Sequence, residues 1–197
     1  MEIETLEFGH FYHIFNRGNN RENIFPESEN YSYFLKLFNK YISPIAEIYA
    51  YCLLKNHFHF LIKLKDSDKI ETDELKFSTI ETPRVILPSK QFSHFFNAYT
   101  QAINKKYKRT GSLFEKPFER KKIKDEKYFR QLILYIHNNP VEHRFVENPE
   151  DYRWSSYNAI LSDRKTQVKR DDVLNYFGNK ENFIFSHKNY ETLNLPY

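Results

Sequence analysis

Two histidines stand two residues apart in the tetrapeptide Asn56-His57-Phe58-His59, inside an apolar run from Ile48 to Ile62. Side chains of a strand alternate between faces, so in a strand His57 and His59 share one face and Phe58 points the other way, into a core. Two neighbouring imidazoles can hold one divalent metal, and a metal on such a face suggests chemistry at a phosphate or a carbonyl. The pair alone fits two hydrogen-bonded or exposed strand histidines equally well, since the chain has 8 His in 197 residues. A metal site needs a partner from elsewhere in the chain.

The stretch Tyr128 to Pro140 offers one. Tyr135 and Asn139 are four residues apart, so on a helix they share a face. The amide oxygen of Asn139 is a donor that a hard divalent ion accepts. The phenol of Tyr135 is a weak nucleophile at neutral pH, with an ordinary pKa of about 10. A metal that polarises a scissile phosphate makes up much of that deficit. Attack on phosphorus would store the bond as a phosphotyrosine, and the strand could then be rejoined to a new hydroxyl without ATP. Each residue also has an ordinary reading. The chain holds 15 Tyr, most of which must pack or face solvent, and Asn before Pro is common at a helix end. If this helix lies against the His57/His59 strand, the face carries a two-histidine, one-amide metal site with a tyrosine beside it.

The charge distribution points to a polyanion. Net charge is only +4, but Lys105, Lys106, Lys108, Arg109, Lys116, Arg120, Lys121, Lys122, Lys124 and Lys127 fall in one stretch, interleaved with Tyr107, Phe114 and Phe118. Cations attract phosphates and aromatic rings stack on unpaired bases, so the stretch suits nucleic acid better than a merely solvated helix end and strand. Arg17, in the turn-rich Asn16–Asn20, is a further candidate phosphate contact.

The elements that must position these groups can be read in outline. Phe11–Phe15 is a first strand. Apolar residues at helical spacing give a helix over Glu29–Tyr41, stopped near Pro44. Ile45–Leu54 and His57–Leu64 are strands joined tightly at Lys55-Asn56. Residues 66–88 are polar, without a clear period, and read as an insertion or long loop. A helix follows over Gln91–Lys108, then an edge strand within Leu113–Lys124, where Pro117 excludes a central position. Asp125–Asn139 is a helix, with Asp125 as N-cap and Pro140 just past its end. The order β-α-β-β-α-β, then a helix, predicts an α+β fold: a small antiparallel sheet with helices on one face. That domain spans 1–148, and 149–197 form a helical C-terminal extension.

The remaining numbers bound the class. A 40% hydrophobic and 18% aromatic composition supports a substantial core, and 4 glycines make a glycine-rich phosphate loop improbable. There is no run of about 18 apolar residues, so no membrane span is expected. The acidic start, Met1 to Glu7, is not a signal peptide. The single Cys52 sits in an apolar run, which excludes an intramolecular disulfide and fits a reducing, cytoplasmic setting.

Four segments occur in order: Asn16-Arg-Gly-Asn-Asn20, Leu54-Lys-Asn-His-Phe-His-Phe-Leu-Ile62, Tyr135-Ile-His-Asn-Asn-Pro-Val141 and Asp151-Tyr-Arg-Trp-Ser-Ser-Tyr157. In this order and spacing, over roughly residues 8 to 160, the chain resembles the single-tyrosine HUH transposases, and most closely the REP-associated tyrosine transposases. The resemblance implies a ferredoxin-like fold and Mg²⁺ or Mn²⁺ dependence. It implies cleavage of single-stranded DNA beside a hairpin, with a covalent 5′-phosphotyrosine and a free 3′-hydroxyl. By motif position it makes His57 and His59 the metal histidines, Tyr135 the nucleophile and Asn139 the third protein ligand. Insertion-sequence relatives often have Gln where Asn139 stands, and the shorter amide must bring its helix closer. Those relatives work as dimers that exchange the tyrosine helix, while the extended tail here suits a monomer on one hairpin. Two other functions compete: a binder of structured nucleic acid that does not cut, and a metal phosphoesterase that uses water and needs no Tyr135.

Overall fold

The computed structural model describes residues 4–70 and 87–191. Four strands, β1 (Phe11–Arg17), β2 (Ala46–Leu54), β3 (His57–Leu64) and β4 (Glu119–Ile123), form one antiparallel sheet in the order β2-β3-β1-β4. The helices α1 (Ser28–Tyr41) and α2 (Pro88–Lys106) fill the connections of the β-α-β-β-α-β unit, and α3 (Glu126–Glu142) follows β4. Most of the polar segment read as an insertion, residues 71–86, lies outside the described residues. Among the described residues no helix is long and apolar enough to cross a membrane.

Alternation along β3 sets up two different faces. Phe58 and Phe60 are fully buried and meet α1 and α2, with Phe34 5.2 Å from Phe58 and Phe38 4.4 Å from Phe60 between ring centroids. His57 and His59 point to the opposite face. There α3 lies across the sheet, its Phe129 packed edge-on against Phe11 at 5.0 Å and Tyr49 at 5.7 Å. The helices of the repeated unit thus share one face, and the tyrosine helix takes the other.

Helix α3 begins where expected, with the Asp125 carboxylate accepting from the Tyr128 N–H at 2.8 Å. It does not stop before Pro140. The helix runs to Glu142 with Pro140 inside its last turn, and the turn is closed by His143 N–H to the Asn139 carbonyl. A proline near the C-terminal end sacrifices one backbone bond, a modest cost where the following carbonyls are at the helix end anyway. Helix α2 starts at Pro88 rather than Gln91, because proline's fixed φ suits a first helical residue. The expected strand over Leu113–Lys124 narrows to Glu119–Ile123 on the sheet edge, and Phe114 makes only an isolated bridge to Gly18.

The C-terminal segment covers the other edge. Leu53 N–H bonds the Trp154 carbonyl and Ser156 N–H bonds the Tyr51 carbonyl, so Tyr152–Ser156 caps the free side of β2. Trp154 stacks on Tyr31 at 4.7 Å. Helices α4 (Tyr157–Leu161), α5 (Arg170–Phe177) and α6 (Lys180–Lys188) then return over α3. A buried chain of hydrogen bonds ties them to it. Ser156 Oγ lies 2.7 Å from His137 Nε2, His137 Nδ1 lies 2.9 Å from His187 Nε2, and His187 Nδ1 lies 2.7 Å from the Phe183 carbonyl. That carbonyl can only accept, so the protons are ordered: His187 Nδ1 donates to it, His137 Nδ1 donates to His187, and the Ser156 hydroxyl donates to His137.

Candidate active site

Both candidate histidines sit near one end of β3, beside the turn Asn16–Asn20 that closes β1. That turn needs its glycine: a Cβ at Gly18 would lie 2.0 Å from the Glu22 carbonyl oxygen, and Gly18 N–H bonds the Asn56 carbonyl at 2.8 Å. The turn thereby fixes Asn56, whose side chain holds His57.

His57 and His59 face α3 together, their ring centroids 5.4 Å apart at an interplanar angle of 85°. The Tyr135 ring stands edge-on to His59 at 5.3 Å. Asn139, one turn on, is buried and places Oδ1 3.1 Å from His57 Nε2. The shared helix face of Tyr135 and Asn139 is therefore the one that meets the His57/His59 strand.

Burial, with a smaller contribution from His143, holds the His57 pKa down to about 4, although its contact with Asn139 opposes the shift. His57 is then neutral at pH 7 and carries one proton. Yet both its nitrogens face oxygens: Nδ1 is 2.8 Å from Asn56 Oδ1, and Nε2 is 3.1 Å from Asn139 Oδ1. Both oxygens are acceptors, so one proton cannot serve both. With the proton on Nδ1, the lone pairs of His57 Nε2 and Asn139 Oδ1 converge on one point. A cation would relieve that conflict, as would turning the Asn139 amide to present Nδ2–H, and an imidazole nitrogen with an amide oxygen would suit a divalent ion such as Mg²⁺ or Mn²⁺. His59 is held far below the usual histidine range by burial and then by His13, and can supply a second imidazole. Among the described residues no three His, Cys, Asp or Glu side chains cluster so as to hold a metal ion.

Tyr135 is pushed up to about 12, chiefly by burial and then by Glu142, with the Asn139 amide opposing. The phenol here is a weaker acid than a free one. Any attack from it depends on activation of the electrophile more heavily than the ordinary phenol pKa implied.

No protein-family model matches the chain. A curated protein of Haemophilus influenzae (strain ATCC 51907 / DSM 11121 / KW20 / Rd), named as a REP-associated tyrosine transposase, is 27% identical over 129 residues, 64% of this chain. The match spans 65% of that relative's length. Among solved structures, a REP-associated tyrosine transposase bound to a REP hairpin shares the fold with a TM-score of 0.62, at 19% identity, over 83% of this chain and 85% of that one. The chain is similar in sequence to one REP-associated tyrosine transposase and in fold to another.

The structure divides the candidate DNA-binding cations between two faces and the far end of α2. Arg17 is exposed, is paired in register with His57, and its Nε donates to Glu115 at 2.8 Å. Lys121 is paired with His13 on the tyrosine face and lies 4.9 Å over the Tyr128 ring. Arg120 and Lys122 point to the opposite face. Arg120 lies 4.2 Å over Phe118, and Lys122 is ion-paired with Glu7. At the far end of α2, Lys105 and Lys108 are exposed, Lys106 is paired with Glu27 at 2.7 Å and Glu29 at 3.1 Å, and Arg109 with Glu22. Lys124 is exposed just beyond β4. The basic stretch is thus not one surface.

Two residues at the site escaped the sequence reading. His143 lies with its ring 5.0 Å from that of His57. It is four residues past Asn139 and eight past Tyr135, a periodicity hidden by ending the helix at Pro140. His13 lies with Nε2 3.0 Å from His59 Nδ1. Its signal was an imidazole in an otherwise apolar strand, on the face defined by Phe11 and Phe15.

Proposed function

We propose that this protein is a metal-dependent single-stranded DNA endonuclease and strand transferase, a transposase that nicks near DNA hairpins through a covalent 5′-phosphotyrosine. What supports this reading above all is that Tyr135 lies against His59 on the same helix face that brings Asn139 to His57. The names of the relatives agree with it: one is named as a REP-associated tyrosine transposase, and the solved one is bound to a REP hairpin.

His57, His59 and Asn139 would hold Mg²⁺ or Mn²⁺. When bound, such an ion supplies Lewis-acid polarisation of the scissile phosphate. Tyr135 attacks phosphorus as its phenol proton is released. The bond from the phenol oxygen forms while the bond from phosphorus to the 3′-oxygen breaks, and that oxygen leaves as a hydroxyl once it takes a proton. The phosphodiester energy is kept in the tyrosyl bond. A new 3′-hydroxyl can reverse the step, which accounts for rejoining without ATP.

The test is a hairpin oligonucleotide with a single-stranded flank, incubated with protein and Mn²⁺ and resolved under denaturing conditions. A protein–DNA adduct is expected from the wild type. Tyr135→Phe should bind the DNA and form none, and EDTA should abolish the adduct. Binding without any adduct or nick would leave a non-cutting binder. Nicking that survives Tyr135→Phe would point to water as the nucleophile.

A further inference from the structure

We propose that His13 is a positioning residue for the metal site: it accepts the Nδ1 proton of His59 and so keeps the His59 Nε2 lone pair turned toward the cation. The inference rests on the metal reading of His57, His59 and Asn139.

His13 lies in the middle of β1 and is fully buried, its ring against those of Phe15, His59 and Tyr135. Burying an imidazole in a strand costs desolvation that an apolar residue would avoid, so it calls for a polar role. Its Nε2 is 3.0 Å from His59 Nδ1, with the two rings 5.1 Å apart and nearly parallel at 26°. Phe15 stacks on His13 at 4.6 Å and 29°, which fixes the plane of its ring.

One proton lies between the two nitrogens, and only two arrangements exist. If His13 donates, the His59 proton must sit on Nε2, and His59 is closed to a metal. If His59 donates, its Nε2 lone pair is open. A neutral imidazole has one acceptor nitrogen, and the 3.0 Å approach places His13 Nε2 where it can be that acceptor. The same logic governs the other histidine. His57 Nδ1 is held at 2.8 Å by Asn56 Oδ1, which can only accept. Each metal histidine is therefore gripped through Nδ1 by a neighbour, one by an amide and one by an imidazole, and each is left with Nε2. A ligand's ring orientation and donor strength depend on such a partner, whose loss commonly costs 10–100-fold in metal affinity.

The experiment combines Mn²⁺ affinity by calorimetry with imidazole ¹⁵N shifts in the metal-free protein. His13→Phe keeps the ring and the stacking on Phe15 but removes the acceptor. It should weaken Mn²⁺ binding by about 10–100-fold and let His59 populate the Nε2–H tautomer. His13→Gln, which restores an acceptor oxygen, should bind Mn²⁺ more tightly than His13→Phe. In the wild type the His59 proton should sit on Nδ1. Finding it on Nε2 overturns the proposal even if neither variant folds, as does unchanged Mn²⁺ affinity in a folded His13→Phe. A His57→Ala control separates the two levels. If His57→Ala abolishes Mn²⁺ binding while His13→Phe leaves it intact, this inference alone fails. If the wild type binds no Mn²⁺ that depends on His57, the metal reading fails and takes the inference with it.

Discussion

His57 Nε2 and Asn139 Oδ1 stand 3.1 Å apart, one on the first residue of a strand and the other in the final turn of a helix, 82 residues along the chain. A neutral imidazole whose proton is turned toward Asn56 has nothing to donate to Asn139 Oδ1, so in this arrangement two lone pairs face each other and a cation between them would relieve the repulsion. This makes the pair a sensitive place to test the metal reading. Asn139→Ala should weaken Mn²⁺ binding about tenfold or more while leaving DNA binding near wild type, and excess Mn²⁺ should partly restore cleavage. Calorimetry and a cleavage titration in Mn²⁺ measure the two effects. An unchanged metal requirement would reduce Asn139 to a helix-end residue.

Phe58 separates the two histidines in sequence and faces away from them in space. It is fully buried and touches Phe34, Phe60, Phe96 and Phe114. Phe58→Ala removes a ring from the centre of that cluster, and the expected loss is about 3–5 kcal/mol in urea unfolding. His57→Ala, on the other face and only partly buried, should cost less stability and all of the metal-dependent cleavage. Equal unfolding midpoints for Phe58→Ala and the wild type would contradict the register of β3.

The register of β3 was legible from sequence because alternation is a strict rule: His57–Leu64 was bounded without error, and the split between a packing face with Phe58 and a face shared by His57 and His59 followed. The shared face of Tyr135 and Asn139 was legible for the same kind of reason. What alternation and period cannot supply is which element crosses which. That α3 takes the face opposite α1 and α2, and that β1 contributes His13 to it, depend on strand order. Pro140 was read as a stop because proline ends most helices, and that hid His143. The basic run Arg120-Lys121-Lys122 looked like one patch in a line of text. In a strand its members must alternate, and two of the three turn away from the tyrosine face. The segment Tyr152–Ser156 carried a family signature without a physical role. Its role is to cover the edge of β2, a long-range pairing that nothing local announces.

The histidine chain through α3 gives the fold a dependence on pH. His187 is held down to about 4 by burial, and His137 lies well below its ordinary value for the same reason. The unfolded chain protonates these groups at about 6.5. As pH falls below that value, the unfolded state takes up protons that the folded state refuses, so stability is lost between about 6.5 and 4 and levels off beneath. His187→Gln removes one such group. The stability difference between wild type and this variant should shift by about 2–3 kcal/mol against the wild type from pH 7 to pH 4.5, measured by urea unfolding. Parallel pH dependences in the two proteins would show that His187 does not titrate with folding.

The division of the cations predicts which of them hold DNA at the tyrosine. Arg17 and Lys121 lie on the face of His57, His59 and Tyr135, through their pairing with His57 and His13. Arg120 and Lys122 lie on the reverse face, and Lys106 is committed to Glu27 and Glu29. Each phosphate contact contributes a slope of about 0.7–0.9 to the logarithmic dependence of affinity on salt. The double change Arg17→Ala with Lys121→Ala should therefore weaken binding to a hairpin with a single-stranded flank and lower the salt slope by about 1.4–1.8. Lys106→Ala should change the slope little. Arg120→Ala with Lys122→Ala should do less than the Arg17 and Lys121 pair, because a strand positioned at Tyr135 runs over the other face of β4. Residual cleavage in every variant should keep its metal requirement, since none of these residues is one of the proposed metal donors. The measurement is a binding titration at several salt concentrations, with the flanked hairpin beside a fully paired duplex. If the reverse-face pair proves dominant, the DNA path over the sheet is wrong. If hairpin and duplex bind equally, the protein is a general nucleic-acid binder rather than one that selects hairpins.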